Sequence, residues 1–492
     1  MAPYIQGTPR DQPSLLPPCV GDYIDDDSPL RALDAFIDTL DLPKLGFAMR
    51  DPGTRGRRGY APATLIRLYL WGYLRRTRSS RGLEAASRVN LEAIWLTGDL
   101  SPDHSTISLF RKTNAVALAG IFSEFTLMCI DMDLFGRELV TIDGTFIKAV
   151  NSKSKSFTKG KLNKLIAASE AATTRYFEQL DAADEAESAA GAGAVDRAGL
   201  QAKIEKIRER KTKLEGHLEA CEKSPTGQVN LTDPDSVQLR KNGQSTTGYN
   251  VQAAVDDKHH LVAAVELTQD GNDKKQLDPM AQKAKAAMGL EPKDEIEAYV
   301  DSGYPTGTQL ASCAGHNTTV IGPVPKIDAN PGSYSLEHFR PDAESGGYTC
   351  PSGQVLGRKK DKQQGETTYE VYRTPAACRD CELRGNCTKS SYRTLKVNTN
   401  QAHFDAARER LAATPGAMVK RSSIGEHPFG TIKAANGYGG GVLCCGKELA
   451  TAEVKLSFWS YNFKRALKVL GVHELIRQIR EIGAARRAEV AA

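Results

Sequence analysis

Apolar positions recur with two different periods along the chain, and the change of period divides it. Ser28 is placed to cap a short helix through about Leu40. A Gly- and Pro-punctuated loop follows at 51–59, and Pro62 suits the first turn of the next helix. Leu65, Leu68, Leu70, Trp71 and Leu74 give that helix an apolar stripe, with Arg67, Arg75 and Arg76 interspersed. Further helices are expected after Ser80, after Asn90 and after the capping-rich phrase Ser101-Pro-Asp-His-Ser-Thr-Ile107. Residues 1–27, rich in Pro and Asp, read as irregular, and 28–135 as an all-helical domain of helix-turn-helix character.

The period shortens after Glu138. Residues 139–150 are rich in β-branched side chains, as a strand should be. Residues 161–222 hold ten basic and twelve acidic residues with a Gly191-Ala-Gly-Ala194 break, the pattern of two long polar helices in a solvated hairpin. Strand alternation returns at 248–256 and 261–267, separated by the turn Asp257-Lys-His-His260. A helix over 274–288, a short strand at 297–301, a buried strand at 318–324, a cysteine-rich stretch at 333–395 and helices after Asn400 complete the order. Without its two insertions this is a mixed α/β sheet with three leading strands, the order of a ribonuclease H-like core.

Charge sharpens the picture of the first domain. From Lys44 to Arg88 there are eleven basic residues against two acidic ones, Asp51 and Glu84, a local field suited to a polyanion such as nucleic acid. No stretch approaches the roughly 20 apolar residues that span a bilayer; the most apolar one, Ala115 to Phe135, is broken by Glu124, Asp131 and Asp133. No basic flank leads into a hydrophobic run at the start, so a cytoplasmic, reducing setting without a membrane partner is expected. The ten cysteines are then thiols or metal ligands rather than disulfides.

Three acids stand out by context. Asp143 lies inside an apolar strand, where a carboxylate costs desolvation unless paired or bound to metal. Asp301 ends a later strand ahead of Gly303, and Glu426 opens the helical stretch Glu-His-Pro-Phe-Gly-Thr-Ile-Lys433. Converging carboxylates from separate elements suit Mg²⁺ or Mn²⁺. Taken singly, each acid is also explained as a turn, cap or first-turn residue.

The phrases Ile142-Asp-Gly-Thr145, Gly248-Tyr-Asn-Val-Gln-Ala253, Val300-Asp-Ser-Gly-Tyr304 and Glu426-His-Pro-Phe-Gly-Thr-Ile-Lys433 together resemble the DDE transposases of bacterial insertion sequences. Ser101-Pro-Asp-His-Ser-Thr-Ile107 resembles that family's N-terminal helical domain, and the likeness runs over about 28–470. The resemblance implies a ribonuclease H-like core with Asp143, Asp301 and Glu426 as a triad holding two Mg²⁺ or Mn²⁺ ions. It implies hydrolysis at the transposon end, then attack of the freed 3′-hydroxyl on target DNA at the same site. Lys433 matches the family's helix lysine that faces DNA. Many relatives place a tyrosine and an arginine upstream of the glutamate, where this chain has Val419 and Ser422; Arg421, the candidate phosphate contact, stands one residue out of register.

Cys350, Cys378, Cys381 and Cys387 follow the spacing C-x27-C-x2-C-x5-C. Four thiolates fill a tetrahedral Zn²⁺ shell and leave no open position, so the ion would be structural; a disulfide pair is the competing reading. The other six cysteines are scattered or adjacent and read as inert.

The expected organisation is therefore an irregular segment at 1–27 and a helical DNA-binding domain at 28–135. The core would occupy 136–160 and 223–332, with the hairpin insertion at 161–222 and the zinc insertion at 333–395. C-terminal core helices at 396–475 and a polar tail at 476–492 would complete it. Arg55, Arg57, Arg58, Arg75 and Arg76 are the expected contacts to double-stranded DNA, both transposon ends and target. A homodimer or higher homo-oligomer on DNA is expected, in the cytoplasm and associated with the nucleoid. Two alternatives stay open: a metal-dependent nuclease on the same fold without strand transfer, and a non-enzymatic zinc-containing DNA-binding protein derived from a transposase.

Overall fold

A computed structural model describes residues 15, 19–48, 59–190, 197–241, 243–325, 334–365, 367–435 and 440–491. The chain forms two compact units, one built from residues up to 134 together with those from 452 onward, the other from 135 to 451.

The first unit is helical, and its helices begin where the caps lie. In α1 (Pro29–Thr39) the Ser28 hydroxyl accepts from the Leu30 N–H, and Leu30, Leu33, Phe36 and Ile37 are buried. Helix α2 (Pro62–Leu74) opens on its proline. Ser79 caps α3 (Ser80–Val89), Asn90 caps α4 (Leu91–Thr97) and Asp103 caps α5 (His104–Thr113). Helix α6 (Ala115–Asp131) is largely buried.

The second unit is organised by a six-stranded sheet. Its strands are β1 (Leu139–Lys148), β2 (Val237–Lys241), β3 (Gln244–Asp256), β4 (Val262–Thr268), β5 (Ile296–Tyr299) and β6 (Thr318–Ile321). β1 is central: antiparallel to β3 on one side, parallel to β5 on the other, with β6 parallel beyond β5. The first half of β3 pairs with β2 and its second half with β4, both antiparallel. The pairing of 237–241 was not foreseen, because Val-Gln-Leu-Arg-Lys is too polar to stand out from a loop.

Between β1 and β2 the chain runs out through α7 (Lys159–Ala190) and back through α8 (Arg197–Lys223), paired along their length. Phe157, Leu162, Leu214 and Cys221 form a small core at the base of this hairpin. The expected Gly-Ala turn at 191–194 lies outside the described residues. Helix α9 (Leu277–Ala287) packs on the sheet, and α10 (Gly307–Gly315) packs on α9. The cysteine-rich stretch forms two three-stranded antiparallel sheets. Phe339, Leu356, Tyr372, Leu395 and Val397 are its core.

Two helices follow, α11 (Gln401–Ala413) and α12 (Ala417–Ala435). α12 does not begin at Glu426 as the sequence suggested; it starts nine residues earlier and carries Pro428 in its interior. Proline normally marks a first turn, which made the preceding turns invisible in sequence.

The last helices, α13 (Lys447–Leu470) and α14 (Val472–Ala491), differ most from expectation. From residue 452 on they belong to the first unit rather than to the sheet unit, and 476–492 is helix rather than tail up to residue 491. Aromatic packing explains this: Trp459 stacks on Phe463 and Phe36, with centroids 5.1 and 6.1 Å apart, and meets Phe125 edge-on. Arg78 and Glu453 pair at 2.6 Å within the same core. α14 lies along α1, burying Leu475 and Ile479. Among the described residues no single helix is long and apolar enough to cross a membrane; α5 with α6 passes only as a pair bent by 74°.

Candidate active site

Register brings the first two acids together. β1 and β5 pair in parallel as Leu139 with Glu297, Val140 with Ala298 and Thr141 with Tyr299. Continued two residues past its last pair, that register aligns Asp301 with Asp143. The third acid comes from α12, which lies against β1. At Gly425 a Cβ would stand 2.6 Å from Thr141 Cγ2 and 3.4 Å from Asp143 Cβ. Only glycine allows the helix this close, and the next residue is Glu426.

The electrostatics of Asp143 register both other acids. Burial pushes its carboxyl above the usual carboxylate range. The Gly144 N–H, donating to Oδ1 at 2.8 Å, and the Arg421 guanidinium oppose that shift, while the charges of Asp301 and Glu426 add to it. Asp301 Oδ1 accepts from the Gly303 N–H at 2.7 Å.

Arg421 is drawn into this cluster. It donates to Glu426 Oε1 at 3.0 Å and approaches Asp143 Oδ2 to 3.5 Å, with its side chain only 11% exposed. Its Nη1 has no hydrogen-bond partner in the protein. The residue one position out of the family register thus reaches the acids by the length of its side chain. Lys433, two turns after Glu426, donates to the Thr145 hydroxyl, on the same face of β1 as Asp143.

A second polar group lies on the opposite face of β1 and was not singled out for a role. Gln252 is opposite Gly144 in the β1–β3 register. It accepts from the Tyr304 hydroxyl and donates to Asp273 Oδ1 at 2.6 Å, and Asn250 donates to the same oxygen at 2.9 Å. The phrases holding Asn250, Gln252 and Tyr304 were visible in sequence; Asp273, in a polar loop, carried no signal.

The four clustered cysteines line one cavity of ≈ 20 Å³, together with Arg384 and Arg393. Burial pushes the Cys387 thiol up; Arg393 opposes this, and Cys378, Cys350 and Cys381 add to it. All ten cysteines are free thiols. Among the described residues no three His, Cys, Asp or Glu side chains already stand at ligand spacing, at this cavity or at the acids. The sulfurs would have to draw inward to reach a common ion.

Of the expected DNA contacts, Arg55, Arg57 and Arg58 lie outside the described residues. Arg75 is tied to Glu92 through Nε at 2.8 Å and through Nη2. Arg76 is exposed. Lys464 donates to the Leu74 carbonyl at 3.2 Å. Its ammonium is held below the usual lysine range by burial and by the charges of Arg76 and Arg75.

Two family models match the chain. One, described as a transposase domain (DUF772), spans residues 18–113; the other, a transposase DDE domain, spans 349–467. The two matches make the chain similar to DDE transposases at its N-terminal helices and over the stretch from the cysteines to residue 467. The second match includes Arg421, Glu426, Lys433 and the four cysteines, while Asp143 and Asp301 lie before it. No curated protein matches the chain. Among solved structures, a piggyBac transposase synaptic complex with hairpin DNA is similar at 10% identity, covering 95% of this chain and 83% of that one, with a TM-score of 0.30. Transposases of this family generally use divalent metals.

Proposed function

We propose that this transposase mobilises an insertion sequence, binding its terminal inverted repeats and performing both DNA cleavage and strand transfer at one carboxylate site. The observation that carries the reading is the convergence of Asp143, Asp301 and Glu426, from two parallel neighbouring strands and a helix laid across them. The sheet, with β3 antiparallel beside β1, β2 and β4 along the outer edge of β3, and β5 and β6 parallel on the other side of β1, supports assigning a ribonuclease H-like core.

The donor set fits hard cations: three carboxylates whose mutual repulsion is offset in the protein by Arg421, which pairs with Glu426 and approaches Asp143. Asp143, Asp301 and Glu426 would together hold Mg²⁺ or Mn²⁺. Bound there, the ions supply Lewis-acid activation of the attacking oxygen and of the phosphodiester. Arg421 then turns from the acids to a phosphate oxygen, and Lys433, held beside Thr145, steadies the strand. The four thiols suit one structural Zn²⁺. In the helical unit, like-charge crowding of Arg75, Arg76 and Lys464 supports a DNA phosphate contact, since a bound anion would relieve it. Assembly as a homodimer or higher oligomer on DNA, in the cytoplasm with the nucleoid, completes the reading; the α7–α8 hairpin is the candidate for subunit assembly.

The test uses the full chain, Mg²⁺ and a duplex carrying the inverted repeat that flanks the gene. Cleavage and joining are both expected. Asp143→Asn, Asp301→Asn and Glu426→Gln should each abolish both while end binding survives. Cleavage without joining would favour the nuclease alternative, and near-normal cleavage by any of the three variants would overturn the assignment.

A further inference from the structure

We propose that Asp273 is a positioning residue for the carboxylate pair, setting the separation of Asp143 and Asp301 through a buried relay of Asn250, Gln252 and Tyr304. The inference rests on the cation site proposed above and assigns the group that holds it in shape.

The relay touches the supports of both acids. On one side, the Gln252 amide lies against the β1 backbone at Gly144, where a Cβ would stand only 3.0 Å from the Gln252 Cδ and the Tyr304 hydroxyl. Gly144 is also the residue whose N–H holds Asp143 Oδ1 at 2.8 Å. On the other side, Tyr304 closes the turn begun by Asp301, its N–H reaching the Asp301 carbonyl at 3.4 Å, with the Gly303 N–H on Asp301 Oδ1. The Tyr304 hydroxyl joins the two sides by donating to Gln252 Oε1.

Asp273 decides which way that bridge points. An amide offers an acceptor and a donor that differ only by a flip, and a tyrosine hydroxyl can pair with either. An ionised carboxylate only accepts. Asp273 Oδ1 takes the Gln252 Nε2–H at 2.6 Å and the Asn250 Nδ2–H at 2.9 Å. Asn250 Oδ1 takes the remaining Gln252 donor at 3.0 Å. With both Nε2 hydrogens committed, Oε1 must face Tyr304. Asn250, Gln252 and Tyr304 are fully buried, so water cannot substitute for a lost partner. The second Asp273 oxygen points toward Gly303, 3.7 Å from where its Cβ would be. Outer partners of this kind orient ligands and tune affinity without touching the ion.

The experiment measures Mn²⁺ binding to the full chain without DNA, from the electron paramagnetic resonance signal of free Mn²⁺. Melting temperature of each metal-free protein is measured alongside. Asp143→Asn should lose binding. Asp273→Asn and Tyr304→Phe should each weaken Mn²⁺ binding by about tenfold or more, as removal of an outer-shell partner does. Tyr304→Phe keeps the ring packing and serves if Asp273→Asn does not fold. Wild-type Mn²⁺ affinity in a folded Tyr304→Phe or Asp273→Asn protein, with only the melting temperature lowered, would reduce the relay to packing and overturn the proposal. Wild-type affinity in Asp143→Asn would instead remove the cation site itself, and this inference with it.

Discussion

Gly425→Ala tests whether the approach of α12 to β1 sets the activity. The added Cβ would stand 2.6 Å from Thr141 Cγ2. Carbon atoms pack at about 3.5–4.0 Å, so helix and strand must part by roughly 1 Å. The strand is fixed by β3 and β5 on its two sides, so the helix moves. Overpacking of this kind costs about 1–3 kcal/mol, and replacing an interior helical glycine by alanine returns roughly 1 kcal/mol. Net stability should fall by no more than about 2 kcal/mol. Activity should fall far more, because Glu426 is the next residue and a 1 Å misplacement can cost about 100-fold. Gly430 provides the control in the same helix: nothing lies within 4 Å of its Cβ position. Gly430→Ala should be slightly stabilising and fully active. The assay is Mg²⁺-dependent nicking of a duplex carrying the transposon end, with melting temperatures by scanning fluorimetry. If Gly425→Ala nicks DNA as fast as Gly430→Ala, close packing at residue 425 is not what places the third acid.

Further outcomes are expected. Because burial raises the Asp143 carboxyl in the folded chain, the folded state binds its proton more tightly than the unfolded state. Metal-free stability should therefore fall as pH rises from the unfolded value through the raised folded one, and Asp143→Asn should be more stable than wild type at neutral pH but not at pH below the unfolded carboxylate value. Metal analysis should find about one zinc per chain; Cys381→Ser should lose it and open residues 350–390 to protease, and zinc-free wild-type protein purified without chelator would remove the idea. Arg76→Ala and Lys464→Ala should each flatten the salt dependence of end binding by about 0.9 in slope; an unchanged slope would make them solvated charges.

Local rules made the strands and the first helices readable. Ser28, Asn90 and Asp103 cap helices as their side chains predict, and the 248–267 hairpin forms around its expected turn, with boundaries moved by a few residues. Asp143 was conspicuous because a carboxylate inside Leu-Val-Thr-Ile is costly without a partner. What sequence did not reveal depends on distant partners. The packing of Trp459 on Phe36 and of Phe463 on Phe125 is a contact between opposite ends of the chain. Arg75 read as an open cation in sequence; in the fold it is paired with Glu92, a partner that nothing next to it in the chain reveals. Arg421 was one position out of pattern, and only a folded helix shows that its side chain spans the gap. Asp273 sits among Gly, Asn and Lys, where nothing local distinguishes an acid that orients a buried amide from one that faces water.

That the helical unit is assembled from both ends of the chain orders events during synthesis. Phe36 emerges early, but its stacking partner Trp459 is made more than four hundred residues later. At about 5–20 residues per second the first helices wait roughly 20–80 s for it. The sheet unit, made wholly in between, is free to fold during that interval. A chain cut short before α13 would carry all three acids and the cysteine cluster yet lack the helices that close the helical core. Such a product would possess the carboxylate cluster without a finished helical unit.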